Sequence, residues 1–220
     1  MRARTERTSA MQIASSRRVR AILAAIASVP LLAACGGLQI KPPPMAFYDL
    51  GAGNARVLRP ALAPSRVEVN TRPWLALSAM QYRLLWQDPD RRRAYAESRW
   101  ASQPAEMLAL VLERSLSSGT GGLRCRLQME LDEFVQEFPS AGQSQVELLA
   151  RIGLIPPRSD VPIAHHEFRI VEAAPTADAA GGVAGFRRAS ARLATEVAEW
   201  ITRLDQAPGE GLNGPTRCGA

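Results

Sequence analysis

Residues Ala21 through Ala34 form a run of fourteen without a charged side chain, preceded by Arg2, Arg4, Arg7, Arg17, Arg18 and Arg20 against a single acid, Glu6. As a helix such a run spans roughly 21 Å at about 1.5 Å per residue, short of the roughly 30 Å hydrocarbon core that a permanent span must cross. A basic segment, a short apolar segment and small residues behind them make the layout of an export signal. The fold must therefore be built from the residues that follow.

Leu32-Ala33-Ala34-Cys35 closes the run. It matches the lipobox of bacterial lipoproteins, in which small residues fit the peptidase and the cysteine thiol takes a diacylglyceryl thioether. The expectation is cleavage after residue 34, with Cys35 as the lipid anchor carrying diacylglycerol and an N-acyl chain, and no other cofactor. One acyl chain is a marginal anchor, and at about 0.8 kcal/mol per buried methylene three chains hold far longer. Gly36 stands where an Asp would signal inner-membrane retention in enteric-type sorting, so the expected address is the outer membrane with the domain facing the periplasm. Met11, followed by its own basic segment, is an alternative start that leaves the mature chain unchanged.

Processing also changes the charge argument. The whole chain carries +6, but six of its 27 basic residues and one of its 21 acids precede Cys35, which leaves the mature chain at a net of +1. A nucleic-acid partner loses its main support. The mature residues suit one domain with a substantial core. Of the remaining cysteines, Cys125 and Cys218 are an even number in an oxidising compartment, and both a disulfide and two independent thiols stay open.

Residues 35–46 hold Lys41-Pro42-Pro43-Pro44 and read as an extended tether. Strands are predicted at Phe47 to Leu50, Pro64 to Asn70, Met80 to Trp86 and Tyr95 to Trp100, from period-two alternation and the breaking Asp88-Pro89-Asp90. Pro104 and Glu106 start a helix whose stripe is Leu108, Val111, Leu112 and Leu116, ended by Gly119, Gly121 and Gly122. Leu123, Cys125, Leu127, Met129 and Leu131 then alternate, and Phe134, Gln136 and Phe138 continue in the opposite phase, which predicts a bulge near Asp132-Glu133. Further strands are predicted from Val146 to Leu154 and Ile163 to Val171. Asp178 to Gly185 reads as a glycine-rich loop before a helix carrying Phe186, Ala189, Leu193, Val197, Trp200, Ile201 and Leu204. Residues 206–220 are rich in Gly and Pro and read as a flexible tail. The fold class is α/β, a mixed sheet flanked by helices in a three-layer, sandwich-like arrangement, with one domain over residues 47–205.

Taken in order, the lipobox, Phe47-Tyr48-Asp49-Leu50, the hairpin with Tyr82 and Trp86 ahead of Arg99-Trp100-Ala101, Phe134-Val135-Gln136-Glu137-Phe138 and the helix after Gly181-Gly182 resemble the ABC-type transport auxiliary lipoproteins, the PqiC-like component of paraquat-inducible and MCE transport systems. The resemblance implies an α/β sandwich without catalytic residues. It implies membrane attachment and work alongside an MCE-domain protein, an ABC permease and an ATPase that move lipids or other hydrophobic molecules. Self-association as a homo-oligomer would suit docking on such a partner. A pilot lipoprotein for another outer-membrane complex is the alternative.

Neighbouring His165 and His166 point to opposite faces of a strand and cannot easily share a metal. Gly181-Gly182-Val183-Ala184-Gly185 lacks the Lys and Ser/Thr of a phosphate-binding loop, and no hydrolase elbow or zinc-protease helix is present. Arg91-Arg92-Arg93 is expected at a solvated hairpin tip, with lipid headgroups or an acidic partner as the other reading. Trp86 and Trp100 are expected in the hairpin core, with an exposed aromatic patch used for binding as the other reading.

Overall fold

Strand β5, Arg126–Ser140, organises the molecule. In this computed structural model, which describes residues 43–51, 57–116 and 122–219, β5 pairs antiparallel along nearly its whole length with β6, Gln143–Ile155. The predicted phase change has its physical cause there. Leu131 stands opposite Ala150 and Glu133 opposite Leu149, so Asp132 is the extra residue of a bulge. Leu127, Met129 and Leu131 before the bulge and Phe134 and Gln136 after it thereby stay on one face.

The other edge of β5 is shared by two short parallel strands in succession. β2, Val67–Thr71, lies along residues 127–131, and β3, Ala79–Leu84, along residues 136–138. A 3-10 turn at Pro73–Leu75 separates them. β3 turns at residues 85–87 into β4, Asp88–Trp100, and β1, Ala46–Tyr48, lies parallel to the end of β4. β7, Ala164–Ala173, pairs with β6 and closes the order β1-β4-β3-β5-β6-β7.

Helix α1, Pro104–Leu116, buries Leu108, Val111, Leu112 and Leu116, its predicted stripe. Helix α2, Ala179–Gln206, begins at Asp178, whose carboxylate accepts the amide of Gly181 at 2.7 Å. Phe186 of α2 stacks on Phe134 at 3.9 Å between ring centroids, and Trp100 meets both rings at 5.5–5.6 Å. The two helices touch each other and share a single core with β2, β6 and β7. The mixed α/β sheet with helices stands, and among the described residues the two helices form one layer on the sheet face that carries the core. The opposite sheet face is dominated by paired charged side chains, which favour water over a second helical layer.

Three expectations are corrected. The glycine-rich loop is the first turns of α2, because these glycines admit neighbours that a side chain would displace: a Cβ on Gly182 would overlap the Gln136 side-chain carbonyl, and one on Gly181 the Thr176 carbonyl. Trp100 is core at 2 % exposure, but Trp86 sits on the β3–β4 turn and is exposed. Residues 206–219 do not form a flexible tail. Leu212 and Cys218 are fully buried, the Leu212 amide donates to Asp205 Oδ1 at 3.0 Å, and the Arg124 amide donates to the Cys218 carbonyl at 2.8 Å. Cys218 is joined to Cys125 with a Cα–Cα separation of 5.0 Å. The two buried side chains and these backbone bonds anchor a segment in which Gly and Pro supply the turns.

Candidate interaction face

Side chains of successive strand residues alternate, so each residue that β5 sends to the helices is followed by one sent to the open face. Glu133, Glu137 and Glu147 stand on that open face and are each under 10 % exposed. Burial of this kind requires partners. Arg83 of β3 donates to Glu133 at 2.7 Å and lies 3.8 Å from Glu137, and Arg92 of β4 also pairs with Glu133. Gln145 donates to Glu137 at 3.2 Å, and Arg169 of β7 to Glu147 at 2.6 Å. Burial raises the Glu137 carboxyl above its ordinary value, with the neighbouring Glu147 acting in the same direction.

The bulge creates a second node. Asp132 accepts two bonds from Arg151, at 2.6 and 2.9 Å, and one from Arg72 at 3.2 Å. The Arg151 bond and then its charge, with help from Arg72, hold this carboxyl below the usual range. The face is thus a mixed-charge ladder with basic groups from β3, β4, β6 and β7 clamped on acids from β5 and β6. It has no single-sign field of the kind that attracts nucleic acid.

Toward the Arg126 end of β5 the same face carries a groove of about 660 Å³, with Glu130, Arg151, Gly153, Pro162, His165 and Glu167 among its walls. Gly153 leaves backbone as part of the floor, and Pro162 lies over it, 3.2 Å from where a Cβ would stand. Both His165 and His166 border the groove, and His166 also packs its ring against Phe168 and stacks toward Trp200 on the helix side, at 4.7 and 6.3 Å between centroids. Among the described residues no three His, Cys, Asp or Glu side chains converge on a metal position.

The predicted site residues divide as follows. Cys35 and its tether up to Pro42 lie outside the described residues, as do Gly119 and Gly121. Arg91-Arg92-Arg93 is not a hairpin tip: all three lie within β4, Arg92 in the Glu133 cluster and Arg93 donating to Gln87 at 2.8 Å. Register decides this, because the turn falls at residues 85–87 instead of at Asp88-Pro89-Asp90. Sequence reasoning missed Gln136. At 1 % exposure, it accepts from the Tyr95 hydroxyl at 2.9 Å and donates to Ser144 at 2.8 Å and to the Asp178 carbonyl at 3.0 Å. Its signal was a polar residue in the core phase between Phe134 and Phe138.

A family model described as the ABC-type transport auxiliary lipoprotein component matches residues 75–198. The fold is similar to the crystal structure of protein XCC0632 from Xanthomonas campestris, of family model DUF330, with a TM-score of 0.58 and 16 % identity over 73 % of this chain and 99 % of that one. A second crystal structure, of an uncharacterized protein, gives a TM-score of 0.54 and 13 % identity over 72 % of this chain and 99 % of that one. No curated protein sequence matches.

Proposed function

Because the chain belongs to the family of ABC-type transport auxiliary lipoprotein components, we propose that it is the lipid-anchored, non-catalytic periplasmic subunit of an MCE-type ABC system moving lipids or other hydrophobic molecules between the inner and outer membranes. The observation that carries the reading is the family match, which spans the chain from the β2–β3 connection into α2 and so includes the β5–β6 scaffold of the open face. The lipobox at Cys35 adds the anchor, and Gly36 the outer-membrane address. In this reading the open face contributes recognition. Its acids and arginines are already paired and positioned, so a partner with complementary charges meets a surface that loses little side-chain freedom on binding.

Genetic epistasis tests it. Deleting the gene should weaken the envelope barrier to detergents and hydrophobic antibiotics as much as deleting an adjacent MCE gene, and the double deletion should be no worse than either. Additive defects would place the protein in another pathway, such as piloting an unrelated outer-membrane complex.

A further inference from the structure

β7 borders the sheet, and among the described residues it has a strand neighbour on one side only. Natural edge strands are usually short, bulged, or guarded by Pro and by charged side chains, Lys above all. β7 is ten residues long, keeps one continuous register with β6 and contains neither Pro nor Lys; the charges on its open-face side, Glu167 and Arg169, are of opposite sign.

The orientation of its backbone follows from one bond. In the same register the Ala174 amide donates to the Ser144 carbonyl on the β6 side at 2.8 Å. Alternation then turns the peptide groups of His165, Glu167, Arg169, Val171 and Ala173 outward. The Ala173 carbonyl accepts from Arg188, as an outward group can. That leaves His165, Glu167, Arg169 and Val171, all exposed and all with side chains on the open face.

We propose that β7 pairs antiparallel with β7 of a second copy, about a two-fold axis at Phe168. Each outward residue then meets an outward residue: Glu167 faces Arg169 of the other copy, Arg169 faces its Glu167, and His165 faces Val171. The neighbouring registers fail on charge. An axis at Glu167 sets that acid against itself, and one at Arg169 opposes two guanidinium groups. Axes between residues would set an outward residue against one turned inward, and larger shifts shorten the overlap. Arg169 is able to serve both partners, because Nε donates to Glu147 while the side chain remains 68 % exposed with its other donors directed elsewhere on the guanidinium. The pairing joins two sheets into one continuous sheet and sets the two open faces side by side. It does not depend on the transport role.

Sedimentation of the full-length chain in mild detergent, across a dilution series, tests the assignment. Two copies per particle are expected, with the amides of Glu167 and Arg169 losing hydrogen-exchange protection on dilution. Glu167→Arg and Arg169→Glu should each weaken the dimer roughly tenfold or more, since the symmetry counts each repulsion twice. The double reversal E167R/R169E should restore it. A monomer at every concentration, an assembly indifferent to the single reversals, or a double reversal that stays dissociated would each overturn the proposal. The exchange measurement on the unaltered chain keeps the test independent of how the variants fold.

Discussion

Gln136 of β5 donates from Nε2 to the backbone carbonyl of Asp178 at 3.0 Å, tying the middle of the sheet to the residue that caps α2. The contact is possible because Gly182, one turn into the helix, has no Cβ to collide with the Gln136 side chain.

Gly182→Ala should therefore destabilise the protein by about 1–3 kcal/mol, the usual effect of overpacking a filled site. Gly142→Ala is the control, since a Cβ at Gly142 meets nothing within 4 Å. Thermal melts that shift equally for the two variants would contradict the close approach.

The bridge between Cys125 and Cys218 closes a loop across a sequence separation of 93 residues. The chain-entropy relation sets an upper stabilisation of about 4–5 kcal/mol for such a loop. Cys218→Ser should lower the melting temperature and open the segment after Gln206 to proteolysis, leaving the sheet intact. Non-reducing mass spectrometry of periplasmic protein that found two free thiols would remove the basis of this prediction.

Acid stability has a definite sign. The Asp132 carboxyl is lowered first by its bond to Arg151, and the Asp178 carboxyl by the Gly181 amide and then Thr176. Each contributes stability that is fully present above the ordinary carboxylate range near pH 4 and is lost as pH falls toward its lowered folded value. Glu137 acts oppositely: its raised folded value favours the protonated form, so acidification through that value relieves a cost. Asp132→Asn and Asp178→Asn should make unfolding free energy less dependent on pH below about 4, whereas Glu137→Gln should act above the ordinary carboxylate range, where it removes the gain in stability that acidification otherwise brings. Denaturant titrations at several pH values decide the matter, and unchanged slopes would refute it.

Cys35→Ser should accumulate as uncleaved precursor, because a hydroxyl cannot form the thioether that precedes cleavage. Unaltered maturation and outer-membrane fractionation of this variant would exclude the anchor.

Local patterns were legible wherever burial on one face imposed a period. The phase flip between Leu131 and Phe134 announced the bulge at Asp132, because a strand whose core face must stay dry can absorb an extra residue in no other way. The α1 stripe and the apolar positions of α2 were legible for the same reason. The glycines at the start of α2 were not, since their meaning lies in Gln136 and Thr176, remote in the chain and adjacent only after folding.

What the sequence by itself determined was the set of elements and the mixed α/β class, both consequences of local hydrophobic period and charge. Tertiary structure decided which charges meet. Arg83, Arg92 and Arg169 find Glu133, Glu137 and Glu147 across five strands because strand order and register, set by non-local pairing, bring them together. The same non-local pairing anchors Leu212 and Cys218 of a Gly/Pro-rich segment in the core and leaves β7 as an open edge, since the strands that end up at a border depend on every other strand's place in the sheet.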